Sequence, residues 1–134
     1  EKDTSVLPKA SGLLPSHVVK KENGCRLCGD YRALNLRTVP NRYLIPHIEN
    51  FTHFLCGKKV FSKVDLLRGY HKILVNPSDI PKTALTTPFG IFQYTVMPFG
   101  LNSATRMIQR FTDTALIGLD FCYAYVNDVA SYRS

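Results

Sequence analysis

Two carboxylates stand where this sequence could do chemistry. Asp65 closes the apolar run Phe61-Ser62-Lys63-Val64, and Asp128 lies in Asn127-Asp128 between the apolar runs Phe121 to Val126 and Val129 to Tyr132. A carboxylate at the end of an apolar strand is costly to leave unpaired, so it takes a cation or a metal as partner. Carboxylates that converge in this way hold the pair of Mg²⁺ ions used in phosphoryl transfer. Each also has a plainer reading: Asp65 pairs with Arg68, and Asn127-Asp128 forms a two-residue hairpin turn on conformational grounds alone. Cys25-x-x-Cys28 is a lone pair, and His17, His47, His53 and His71 offer no second ligand pair at zinc spacing. The four cysteines therefore read as reduced thiols of an intracellular protein.

The elements that must position these residues follow from spacing and turn chemistry. Residues 1–15, with Ser, Gly and two Pro, read as an irregular arm. Val18 to Lys21 and Arg26 to Tyr31 flank Glu22-Asn23-Gly24, and Asn-Gly accepts the positive φ angles of a tight hairpin. Ile48, Phe51 and Leu55 recur at helical spacing, which predicts a helix over 48–55 that stops near Gly57. Lys58 to Leu66 reads as a strand covered on both faces, with Asp65 at its carboxyl end. Arg68-Gly69-Tyr70 turns the chain, Ile73 to Val75 is strand-like, and Asn76-Pro77-Ser78-Asp79 is a turn. Thr83 to Thr87 and Ile91 to Val96 form a hairpin around Pro88-Phe89-Gly90. Ser103 suits the cap of a helix with Met107, Ile108, Phe111, Ala115 and Leu116 on its apolar face and Gly118 as its stop. The last hairpin carries Asn127-Asp128 at its tip. This order predicts one α+β domain with a largely antiparallel sheet.

At 134 residues and 45% hydrophobic content the chain has apolar material for one core. No stretch approaches the roughly 18 consecutive apolar residues of a membrane span, so no membrane partner is expected. The opening Glu1-Lys2-Asp3, without Met, suggests a fragment. The net charge of +7 is uneven: residues 1–60 hold ten basic and five acidic residues, and residues 61–134 hold seven and five. Such a field favours a polyanion such as nucleic acid, through counterion release, or serves solubility alone.

Four segments carry a resemblance. Cys28-Gly29-Asp30-Tyr31-Arg32-Ala33-Leu34-Asn35, FSKVDLLRGYHKI from Phe61, PKTALTTPFGIFQYTVMPFGLNSA from Pro81 and YVND from Tyr125 resemble, in order, the motifs of reverse transcriptases of gypsy-class LTR retrotransposons. The resemblance runs from about Leu14 to Ser134. It implies the fingers and palm of a right-hand polymerase, a mostly antiparallel sheet packed on helices, with the thumb absent. Residues 16–60 would be fingers-like and residues 61–134 palm-like, with a fingers insertion at 76–100. The implied chemistry is template-directed nucleotidyl transfer from a deoxynucleoside triphosphate to an RNA- or DNA-templated primer, with Mg²⁺ as cofactor.

Residue by residue, the resemblance makes Asp65 and Asp128 metal ligands and adds the Leu66 carbonyl as a backbone ligand. Tyr70 matches the aromatic gate against a ribose 2′-hydroxyl, and Lys21 and Arg26 match fingers residues that grip the triphosphate. Their plainer reading is a solvated hairpin face. Phe99 and Gly100 match the loop beside the nascent base pair, Tyr125 belongs to the last motif, and Gln109 and Arg110 fall on a helix whose exposed side would meet template phosphates.

Three departures bear on activity. The family's Tyr-x-Asp-Asp reads Tyr125-Val126-Asn127-Asp128, so the catalytic trio is Asp65, Asn127 and Asp128, with an amide where a carboxylate should complete the metal site. One negative charge is missing where two divalent cations must be held, and polymerase activity is expected to be severely reduced. The tryptophan that precedes the fingers arginine is missing from Gly24-Cys25-Arg26, and the match stops short of the thumb, ribonuclease H and integrase regions. Three functions follow as expectations: an impaired polymerase module that still binds nucleic acid, an active piece of a longer polyprotein, or a non-enzymatic interaction module.

Overall fold

The structure is a computed structural model that describes residues 14–22 and 24–133. In chain order it contains β1 (Leu14–Lys21), β2 (Gly24–Gly29), α1 (Arg32–Arg37), α2 (Ile48–Leu55), β3 (Val60–Asp65), β4 (Leu85–Thr87), β5 (Gly90–Phe92), α3 (Ala104–Ala115), β6 (Cys122–Tyr125) and β7 (Asp128–Arg133). Short 3-10 turns lie at Gly69–Lys72 and Ile80–Thr83. It is a mixed α+β chain whose sheets are antiparallel except where β1 meets β4.

Two compact units form, each from two stretches of chain. The first takes Glu1–Pro40 and Tyr70–Ala104, and the second takes Asn41–Gly69 and Thr105–Ser134. In the first, the sheet order is β2-β1-β4-β5. The expected connection is Glu22-Asn23-Gly24, but Gly24 belongs to β2 and pairs with Lys21; Asn23 lies outside the described residues. Residues 1–13 of the expected arm also lie outside them. Leu14 and Pro15 are not irregular, because they pair in parallel with Leu85 and Thr86. The core gathers Tyr31, Leu34 and Leu85, with Leu14, Leu27, Tyr94 and Leu101 against it. Gly29 must lack a side chain there, since a Cβ would run into Leu85 and the Tyr31 ring. The buried Tyr31 hydroxyl donates to the Thr83 carbonyl at 3.2 Å, and burial raises its pKa.

In the second unit the sheet order is β3-β7-β6. Helix α2 forms over the residues the spacing predicts, and its Phe51 and Phe54 pack tilted against Tyr123 with centroids 5.5 and 5.1 Å from that ring's centre. Phe54 also meets Tyr132 edge-on, and the Lys58 ammonium lies 4.1 Å from the centre of that ring.

Four expectations require correction. Strand β3 is not covered on both faces: Val60, Phe61 and Val64 are 58%, 49% and 55% exposed, because β3 is the sheet's edge and α2 packs on the aromatic rings of β6 and β7. The strand at Ile73–Val75 reduces to a single bridge, Leu74 to Val96. The hairpin after it shortens to β4 and β5, since the Thr83 hydroxyl, not a strand partner, receives the Tyr94 N–H at 2.9 Å. On α3 the buried residues are Ala104, Ile108, Gln109 and Thr112, while Phe111 is exposed, so the helix presents a part-polar face to its unit. Helix α1 carries no sequence signal; six residues with one buried leucine are too few for a period to show.

Candidate functional site

The second unit holds the acidic residues. Strands β3 and β7 pair so that Asp65 stands opposite Asp128. Directly opposed residues in an antiparallel pair have Cβ atoms about 4.5–5.5 Å apart and share one face, so two carboxylates there can share a cation. Tyr125 pairs with Asp128 across β6 and β7, which makes Val126 and Asn127 the two-residue loop. The expected loop, Asn127-Asp128, is thus displaced by one residue: Asp128 belongs to β7, and that is why it faces Asp65. Val126 takes a left-handed φ of 54°, rare for a β-branched residue. The ion pair at this corner joins Lys63 to Asp128 at 3.1 Å, not Asp65 to Arg68, and both partners are exposed enough that it adds little stability.

Leu66 ties the corner together through its backbone. Its N–H donates to the Asn127 carbonyl at 2.9 Å, and its own carbonyl accepts the Gly69 N–H at 3.2 Å. The Asn127 side chain turns inward: its Oδ1 is buried without a hydrogen-bond donor, and a Cβ on Gly69 would lie 2.5 Å from it. The outward oxygens at this corner are all hard donors: the two opposed carboxylates and the Leu66 carbonyl. That chemistry suits a divalent cation of the Mg²⁺ class. The set fits one such ion on Asp65 and Asp128. Among the described residues no three His, Cys, Asp or Glu side chains come together as a metal set.

Gln109 corrects an expectation. It is fully buried, so it cannot offer an exposed face to a template. Its Oε1 accepts the Val126 N–H at 2.6 Å, and its Nε2 donates to the Ala124 carbonyl at 3.0 Å and to Asp113 Oδ1 at 2.9 Å. Asp113 Oδ2 in turn accepts the Tyr43 hydroxyl at 2.6 Å, and this bond, aided by partial burial, pushes the Tyr43 pKa up to about 12. Arg110 is half-buried on the same helix, and Tyr125 is half-buried in β6.

The first unit holds the expected nucleotide-binding residues. The Arg26 guanidinium lies 4.1 Å from the centre of the Phe99 ring, and Tyr70 meets that ring edge-on at 4.9 Å. Three residues far apart in sequence thus form one cationic aromatic cluster. Lys21 is exposed at the far end of the same hairpin, opposite Gly24. Asn35, which no site expectation included, holds the loop that carries Phe99: its Nδ2 donates to the Gly100 carbonyl at 2.8 Å and its Oδ1 accepts the Asn102 N–H at 2.9 Å. Gly100 has a φ of 95°, a conformation that glycine adopts without strain. Asn35 ends the first of the four quoted segments, but that position alone says nothing about its partners.

Residues 18–133 match the model of the family described as reverse transcriptase (RNA-dependent DNA polymerase). The chain belongs to that family. Among its relatives, the enzymatic polyprotein of figwort mosaic virus (strain DxS) is 33% identical over 123 residues, which are 91% of this chain and 18% of the polyprotein. The retrovirus-related Pol polyprotein from transposon opus of Drosophila melanogaster is 39% identical over 111 residues, 81% of this chain and 11% of the relative. The foamy viral protease-reverse transcriptase in complex with double-stranded DNA has the same fold, with a TM-score of 0.83 at 20% identity over 96% of this chain and 23% of that one. This reverse transcriptase-family chain therefore spans less than a fifth of these two polyproteins.

Proposed function

We propose that this chain is the fingers-and-palm portion of a gypsy-class retrotransposon reverse transcriptase, able to bind a template-primer and a deoxynucleoside triphosphate but impaired in nucleotidyl transfer. The observation that carries this reading is the register that opposes Asp65 and Asp128 while Asn127, in the loop between β6 and β7, turns an uncharged oxygen against Gly69. Asp65 and Asp128 would hold a divalent cation, which when bound lowers the pKa of the primer hydroxyl and screens the triphosphate. Arg26 supplies a guanidinium that grips phosphate oxygens, and Lys21 adds positive charge along the hairpin. Phe99 and Tyr70 offer flat rings against base and sugar, Tyr70 excluding a 2′-hydroxyl. Arg110 and Tyr125 would contact template or primer, and the protein would work inside the cell.

Primer extension with Mg²⁺ or Mn²⁺ tests the reading. The expected result is negligible incorporation by the natural sequence and clear incorporation by Asn127→Asp; robust incorporation by the natural sequence would overturn the impairment. Binding to a primer-template should fall steeply with salt. Absence of binding at low salt would favour an interaction module instead.

A further inference from the structure

We infer that Gln109 is a positioning residue: its side-chain amide holds Val126, in the loop between β6 and β7, at its positive φ and so fixes where Asp128 stands against Asp65. The inference rests on the cation-binding reading of those two aspartates and adds the device that sets their geometry.

Strand β6 is the free edge of its sheet, and Tyr125 directs its own N–H and carbonyl toward Asp128 of β7. The peptide groups on either side, the Ala124 carbonyl and the Val126 N–H, therefore point away from the ladder and need other partners. One amide serves both: Gln109 Nε2 donates to the first and Oε1 accepts from the second, as a neighbouring strand would. A carboxamide meets this requirement without a change of protonation, because the two sites demand one donor and one acceptor from the same planar group. Asp113 fixes the amide's orientation by accepting its remaining N–H, and Tyr43 holds Asp113.

Val126 gives the clamp something to hold. A positive φ is strained for a residue with a Cβ, and a β-branched residue resists it further. The loop keeps this conformation at a φ of 54° with its N–H bound to Gln109 at 2.6 Å. Released, Val126 would relax toward extended φ, and the rotation would carry Asn127 and Asp128 with it.

The test compares the 134-residue chain with Gln109→Leu and with Gln109→Leu/Val126→Gly, reading backbone amide exchange and Mn²⁺ affinity. The Val126 amide should be protected in the natural sequence and should exchange about tenfold faster in Gln109→Leu, as expected for loss of one buried hydrogen bond. Mn²⁺ affinity should fall about tenfold, and Val126→Gly should restore it to within about threefold, since glycine takes a positive φ freely. A loss that glycine does not restore would make Gln109 a core residue only and overturn the inference. A freely exchanging Val126 amide in the natural sequence would overturn it too, even if Gln109→Leu failed to fold. If the natural sequence binds no Mn²⁺ that Asp65→Asn abolishes, the cation reading fails, and the exchange data still decide the clamp.

Discussion

In the first unit the chemistry-bearing side chains touch one another: Arg26 lies over Phe99, Tyr70 meets its edge, and Asn35 pins the loop beneath through two backbone hydrogen bonds. In the second unit they do not. Asp65 and Asp128 are aligned by backbone register, Asn127 turns inward, and the order comes from a buried polar chain running Tyr43, Asp113, Gln109 to the loop. The parts that would grip a nucleotide and the parts that would react with it are thus built separately here. A single amide can therefore alter the second while leaving the first intact.

The largest expected effect sharpens this contrast. Asn127→Asp should raise primer extension by at least about 100-fold, equivalent to about 2.7 kcal/mol of barrier, and leave triphosphate binding unchanged. A matching gain in binding would mean that the two functions are not separate. Next, Gly69→Ala should destabilise the chain by about 2 kcal/mol, in the range of overpacking, because the new methyl meets Asn127 Oδ1 at 2.5 Å and Ile108 Cδ1 at 3.2 Å. Urea melts check this, and an unchanged midpoint would show that the Asn127 side chain moves freely. Asn35→Ala should cost about 1.5 kcal/mol through two lost hydrogen bonds and weaken triphosphate binding without altering Mn²⁺ affinity.

The smallest effects concern charge. Tyr43→Phe should cost about 1 kcal/mol near neutral pH. The natural tyrosine has its pKa raised from 10.0 to about 12, so its contribution is complete below pH 10 and fades as pH rises toward 12. The stability gap between the two proteins should close over that window; a constant gap would show that the hydroxyl's bond to Asp113 does not stabilise the fold. Lys63→Ala should change stability by less than about 0.5 kcal/mol, yet strengthen Mn²⁺ binding, because its ammonium competes at Asp128.

Periodicity and turn chemistry were enough for α2, for the hairpin at Glu22-Asn23 and for the helix after Ser103, since each is written in local spacing. The opposition of Asp65 and Asp128 was legible only as two acids at strand ends. Their alignment depends on a register that a shift of one residue in the loop would have destroyed. Gln109 looked like a surface residue because a polar side chain on an amphipathic helix normally is one; nothing local signals that two edge peptide groups wait for it. The exposure of β3 was hidden for the converse reason. Val60, Phe61 and Val64 read as interior residues, and only the strand order reveals them at an edge.

The parallel contact of Leu14 and Pro15 with Leu85 and Thr86 is reinforced by the Ser16 hydroxyl, which donates to the Thr86 carbonyl at 2.6 Å across 70 positions of sequence. It also sets a sequence of events during synthesis. The β1–β2 hairpin can close as soon as residue 29 leaves the ribosome, but its other edge waits for β4. Through that interval the edge of β1 at Leu14 and Pro15 stands open, and long-range closure of this kind is slow. The positive charge clustered on the same hairpin, at Lys20, Lys21 and Arg26, then has a second use: it discourages two nascent copies from pairing edge to edge before each has finished its own sheet.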